Sequence, residues 1–191
     1  VDEAFADDVA MALASTEPNQ QTRKVGIWKP LSTADMPCRK FMLHKYTAYG
    51  YSSVWLNGKM YILGQGLQGQ ELNETCAGVY DLEHDQWSAL PAPPAGSSQS
   101  GLQTDGEKLY LLNFSKTPSL DIYDPKVATW TTRPIGGVTP VCWGGSIVEH
   151  KGALYVFGGT CDDSLFCNDL WRISLSDATA VKLSSVGAPS P

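Results

Sequence analysis

One apolar phrase occurs three times along this chain. It reads Gly58-Lys59-Met60-Tyr61-Ile62-Leu63-Gly64, then Gly106-Glu107-Lys108-Leu109-Tyr110-Leu111-Leu112, then Gly152-Ala153-Leu154-Tyr155-Val156-Phe157-Gly158-Gly159. The tyrosines Tyr61, Tyr110 and Tyr155 stand 49 and 45 residues apart. Self-similarity at that period marks a stacked array, in which each unit buries its apolar face against its neighbours. It also lowers the expectation of an enzyme, since repeat scaffolds commonly serve as binding surfaces.

Composition narrows the unit. Charged residues make up 18% of the 191, while 18 glycines and 12 prolines supply punctuation. With 42% apolar residues, this balance points to many short strands joined by turns rather than to a helical bundle. The net charge of -6 argues against nucleic acid as a partner, because phosphate contacts need clustered Lys and Arg. No apolar run reaches about 18 residues, so membrane insertion by a helix is not expected.

Each tyrosine phrase is followed by a second signal. Tyr80-Asp81 precedes Trp87, and Tyr123-Asp124 precedes Trp130, with seven residues from Tyr to Trp in both. The spacing predicts a hairpin whose first strand ends near Tyr-Asp and whose second begins near Trp. Asp and Pro at the turn supply local hydrogen bonds and a fixed φ. Aromatic residues suit a sheet packed on both faces. The third repeat is degenerate: Ile173 replaces Tyr, and Val181, one residue late, replaces Trp. At the other end, Arg23 to Leu31, with Trp28, reads as the last strand of a repeat whose beginning is missing. Phe5, Val9 and Leu13 fall at i, i+4 and i+8 and predict a short amphipathic helix over 1–21, with a disordered arm as the alternative.

These motifs resemble the kelch repeat. Tyr80-Asp81 with Trp87 and Tyr123-Asp124 with Trp130 match its pattern fully, and Gly158-Gly159 is its double glycine. Gly64-Gln65-Gly66 comes near, while Asn113-Phe114 stands at that point of the second repeat. The resemblance covers residues 22–191. It implies an all-β, partial β-propeller built of four-stranded antiparallel blades, with the short helical arm in front. The expected divisions are an arm at 1–21, a last strand and linker at 22–40, and blades at 41–94, 95–140 and 141–191. The glycines let backbone bend and approach closely. The tyrosines and tryptophans are read as inter-blade packing rather than as a site.

Three blades and one strand do not close a ring, since propellers need four to eight blades. A terminal blade without a neighbour exposes an apolar face. The expected partner is therefore another protein chain, or a second copy, that completes the propeller. The Pro-rich run at 187–191 reads as a linker toward a next blade.

Candidate chemistry is sparse. Cys161 and Cys167 flank a five-residue loop that a disulfide can close if the ends approach within about 6 Å. Free thiols are the second reading. A metal site is the third, and would need two further ligands. Sequons at Asn73 and Asn113 make N-glycosylation a candidate. Together with the cysteines they point toward a secretory or extracellular compartment, with the cytoplasm as the alternative. Arg39, Lys40, His44 and Lys45 form a basic cluster at an inter-blade linker that could meet an acidic partner, or could simply be solvated. His84 and His150 lie in turns. No catalytic constellation, phosphate loop or cofactor motif is found, so no cofactor is expected.

The reading that follows is a non-catalytic protein-interaction module within a larger assembly. The alternatives are a secreted or lumenal glycoprotein domain that binds carbohydrate or a receptor, and a fragment of a kelch-type enzyme.

Overall fold

The computed structural model describes residues 37, 48–68, 71–94, 101–114, 117–137, 144–160 and 166–183. The chain divides into two compact units, Val1–Leu31 and Ser32–Pro191, and every described residue lies in the second. The expected arm at 1–21 and the Trp28 strand lie outside the described residues.

Thirteen strands are present among those residues, and no helix. The first sheet holds β1 (Ala48–Leu56), β2 (Lys59–Gln68), β3 (Glu71–Asp81) and β4 (Gln86–Ala89). The second holds β5 (Gln103–Thr104), β6 (Leu109–Asn113), β7 (Ser119–Asp124) and β8 (Thr129–Pro134). The third runs β10 (Ser146–His150), β11 (Ala153–Phe157), β12 (Leu170–Ser174) and β13 (Thr179–Leu183), with β9 (Gly136–Gly137) added beside β13. Each is an antiparallel meander of four consecutive strands, the architecture of a propeller blade.

Local sequence explains the hairpins. The β1–β2 turn is Asn57-Gly58, with φ of 50° and 77°, and the β10–β11 turn is Lys151-Gly152, at 50° and 76°. Two left-handed residues in a row make the tight turn that follows strand twist without splaying the pair. The three β3–β4-type hairpins share one geometry. Asp81 pairs with Gln86, and Asp124 with Thr129, so four residues form each loop. The last loop residue is left-handed every time: Asp85 at 51°, Ala128 at 54° and Ala178 at 55°. Asp81 Oδ1 accepts the N–H of Glu83 and of His84, and Asp124 Oδ1 accepts that of Lys126 at 2.9 Å.

This loop sets the Tyr-to-Trp interval. Tyr80 lies directly across from Trp87, and Tyr123 from Trp130. Their rings stack at a tilt, with centroids 4.9 and 5.2 Å apart, a geometry that adds to simple burial. In the third sheet the register corrects the sequence reading. Ile173 lies opposite Ala180, whereas Val181 lies opposite Arg172. The interval is thus kept, and Ala180 rather than Val181 takes the Trp position. Alongside it, β9 pairs in parallel with Thr179 and Ala180. Gly137 is required there: its φ is +90°, and a Cβ would fall 2.6 Å from the carbonyl oxygen of Ala180. The third sheet therefore has five strands, and its fifth comes from a stretch that the sequence reading placed in the second blade.

Two apolar clusters join the three sheets. Leu56, Tyr61, Leu63 and Val79 of the first sheet meet Leu109, Leu111 and Tyr123 of the second. Tyr110, Leu112, Leu120 and Ile122 from the other face of the second sheet meet Leu154, Val156, Trp171, Ile173 and Ala180 of the third. The middle sheet is thus packed on both faces, which is why β6 is buried at all five positions. Each fully buried Leu contributes about 1.5–3 kcal/mol of transfer free energy. Polar ties cross the same seams. The N–H of Leu102 donates to Ser52 Oγ at 2.6 Å, Trp130 Nε1 to Pro91 O at 2.8 Å, and Arg133 to Ser176 O at 3.0 Å.

Candidate interaction surface

The repeat tyrosines report which faces have neighbours. Tyr61 is 6% exposed and its ring centroid lies 6.3 Å from that of Tyr123 in the second sheet. Tyr110 is 5% exposed, in the cluster shared with the third sheet. Tyr155 occupies the same place in the third repeat, yet it is only partly buried. Register explains the difference. Residues alternate between faces along a strand, and Leu154, Val156, Trp171, Ile173 and Ala180 point at the second sheet. Val148, Tyr155, Arg172 and Val181 are consecutive cross-strand partners and form a row on the opposite face. Ser146, Phe157, Leu170 and Leu183 form the next row. Val148 is 56% exposed, Val181 52% and Phe157 38%. This is the largest coherent set of exposed apolar side chains on any one sheet among the described residues, and none of the motifs announced it.

The rim of tight turns carries most of the resolved charge. Asp81 receives His84 Nδ1 at 3.1 Å and Lys59 Nζ at 3.2 Å. The His84 contact foremost, with help from Lys59 and against desolvation, holds its carboxyl down to about 2. Lys108 and Asp124 repeat the Lys–Asp pair in the second sheet at 3.6 Å. Asp105 accepts the hydroxyl of Tyr110 at 2.6 Å and the N–H groups of Glu107 and Lys108. Burial opposes its charge, but those hydrogen bonds outweigh it and hold the carboxyl below its ordinary range. Burial first, then the bond to Asp105, raises the Tyr110 phenol. Tyr80 donates to Asp85, and that bond is the main cause of a phenol pushed up to about 12. These are turn-building contacts that leave the tyrosines protonated and packed.

Other expected site residues are scattered. Arg39, Lys40, His44, Lys45 and Cys161 lie outside the described residues. Asn73 lies in β3. Asn113 ends β6 and is only 6% exposed, so the folded sheet does not present its amide to a glycan. Its sequon arose from a strand-end position that the sequence could not identify as interior. Cys167 follows the double glycine loop, its N–H donating to Gly159 O at 3.0 Å. Gly158 and Gly159 have φ of 68° and 100°, so the pair is needed for a left-handed bend as well as for close approach. His84 is an Asp81 partner, and His150 is exposed with its ring 6.5 Å from that of Tyr155. Sequence reasoning missed Asp121, wholly buried and accepting the Thr132 hydroxyl at 2.7 Å. Among the described residues no group of three or more His, Cys, Asp or Glu is placed to hold a metal, and no helix is long and apolar enough to cross a membrane.

No family model matches the chain. It is 29% identical over 163 residues to acyl-CoA-binding domain-containing protein 4 of Arabidopsis thaliana, covering 75% of this chain and 24% of that protein. It is 30% identical over 105 residues to an F-box/kelch-repeat protein of the same plant, covering 51% of this chain and 26% of that one. The chain thus spans about a quarter of the length of these relatives. The solved structure of YjhT, a kelch-type propeller, superposes with a TM-score of 0.56 at 15% identity, over 73% of this chain and 53% of that one. Kelch-repeat proteins are therefore homologues of this chain at modest identity, and its fold is that of kelch-type propeller blades.

Proposed function

We propose that the chain is a non-catalytic protein-interaction module of kelch type, whose third sheet is covered by a further blade in a larger assembly. The observation that carries this reading is Tyr155. Its two repeat equivalents are each buried by the next sheet, and it alone lacks one among the described residues. An exposed face of Val148, Phe157 and Val181 is built like the faces that the first and second sheets bury. Contiguous apolar patches of this kind mark association surfaces. The test is sedimentation of the chain together with whatever co-purifies from its source. The double substitution V148K/V181K should strip the co-purifying protein while leaving the melting of the isolated chain unchanged. A wild-type chain that stays a monomer with no associated polypeptide, and melts cooperatively at every concentration, refutes the reading.

A second reading, a secreted or lumenal domain, is favoured by one local feature. An isolated antiparallel bridge joins Thr160 to Phe166 and draws together the ends of the loop that Cys161 and Cys167 flank. That closure supports a Cys161–Cys167 disulfide and an oxidising compartment. Intact mass after alkylation, with and without reductant, decides it: labelling of both sulfurs without reductant removes the support.

A further inference from the structure

The exposed face of the third sheet differs from its two repeat equivalents at one position. In register, Tyr61 lies opposite Val79, Tyr110 opposite Ile122, and Tyr155 opposite Arg172. Val79 and Ile122 are 8% and 6% exposed, each pressed against the next sheet. Arg172 therefore stands where the other two blades place an aliphatic side chain, between Tyr155 and Val181 in the middle of an apolar row. Among the described residues no carboxylate neutralises it. Glu149 faces the second sheet, where its backbone N–H meets Gln103, and Asp169 pairs with Lys182 at 2.8 Å. On the same face, at the β10 end, stands His150. A guanidinium covered by a second sheet without a counter-charge is strongly unfavourable, whereas a carboxylate in bidentate contact offsets the desolvation.

Resting on the blade-docking reading above, we infer that this face receives a second polypeptide whose apolar docking face carries an Asp or Glu side chain opposite Arg172. Where consecutive blades of this chain meet, the position is aliphatic. A charge in its place is the device by which separate chains select one another and reject mismatched faces. Among the described residues a second copy offers no matching open face: that of Tyr80 and Trp87 on the first sheet has Pro37 lying against Gly78 and leaves Tyr80 1% exposed. The acidic group beside it, Asp85, already accepts the Tyr80 hydroxyl.

The experiment uses the full chain isolated with its associated proteins. The R172K variant keeps the charge and introduces an amine that carbodiimide couples to a touching carboxylate. The expected product is a zero-length amide between position 172 and an Asp or Glu of a second polypeptide. R172E and R172L should each weaken retention of that polypeptide by about a hundredfold, because both leave its carboxylate buried and unpaired. Melting of the isolated chain should not change with either. Coupling to a residue of this same sequence, in cis or in a second copy, overturns the inference, as does absence of coupling. Retention by R172L equal to wild type, with loss in V148K/V181K, leaves the blade-docking reading standing and removes the carboxylate. Retention unchanged in all variants removes both.

Discussion

Replacing the same repeat tyrosine in two blades tests the arrangement of faces by stability alone. Tyr110 is 5% exposed between the second and third sheets, and its hydroxyl donates to Asp105 at 2.6 Å. Truncating a buried aromatic residue to Ala costs about 3–5 kcal/mol, because contacts are lost and the cavity closes only in part. Leaving a partly buried carboxylate without its hydroxyl donor adds roughly 1–2 kcal/mol. Tyr110→Ala should therefore cost about 5 kcal/mol in all. Tyr155→Ala removes the same atoms from a face that no described sheet covers, and should cost about 1 kcal/mol. With a urea slope of about 2 kcal/mol/M, the midpoints should fall by roughly 2.5 M and 0.5 M respectively. Urea unfolding followed by tryptophan fluorescence and far-ultraviolet circular dichroism, at two protein concentrations, measures both. Coincidence of the two probes is required for the conversion to free energy. Equal losses at low concentration would refute the reasoning, since Tyr155 would then be as buried in the isolated chain as Tyr110.

Asp81 is held at about 2, below its unfolded value of 3.8, so its contribution to stability is present above about pH 4 and is lost as pH falls toward 2. Chemical denaturation across that window should find Asp81→Asn less stable than wild type near neutrality, with the two converging near pH 2. Ala180→Trp restores the aromatic of the other two repeats yet should destabilise by about 1–3 kcal/mol through overpacking, because Ala180 is 5% exposed in the cluster between the second and third sheets; a neutral or higher melting temperature would refute that placement. Gly137→Ala should cost at least about 2 kcal/mol, since the Cβ collides with a backbone carbonyl and φ is left-handed. Gly58→Ala, at φ +77° with nothing within 4 Å, should cost only about 1 kcal/mol of backbone strain; thermal melts of the two variants distinguish a clash from strain.

Local features were legible in the sequence because their causes are local. The Tyr-to-Trp interval follows from a four-residue loop whose Asp bonds its own backbone and whose last residue is left-handed, as at Asp124 and Ala128. The Asn57-Gly58 turn likewise needs nothing beyond its own residues. The third hairpin was misread by one residue because Ala180 carries no aromatic signal, and only the hydrogen-bond register shows that it faces Ile173. The strand β9 was invisible: two glycines have no strand propensity, and their partners Thr179 and Ala180 lie more than forty residues away. Asn113 looked like a surface acceptor because burial at a strand end depends on which sheet stands over it.

The sequence by itself therefore determined the repeating unit, the antiparallel blades and the aromatic pairs that hold each hairpin. Those depend on periodicity, turn chemistry and side-chain size over a few residues. Only the tertiary structure decided which face of each blade is covered. Tyr61, Tyr110 and Tyr155 are the same letter in the same phrase, and among the described residues they differ in having or lacking a neighbouring sheet. The place of Arg172 on this apolar face arises the same way: strand alternation gives it a side, register gives it Tyr155 and Val181 as neighbours, and among the described residues no further sheet stacks on that side.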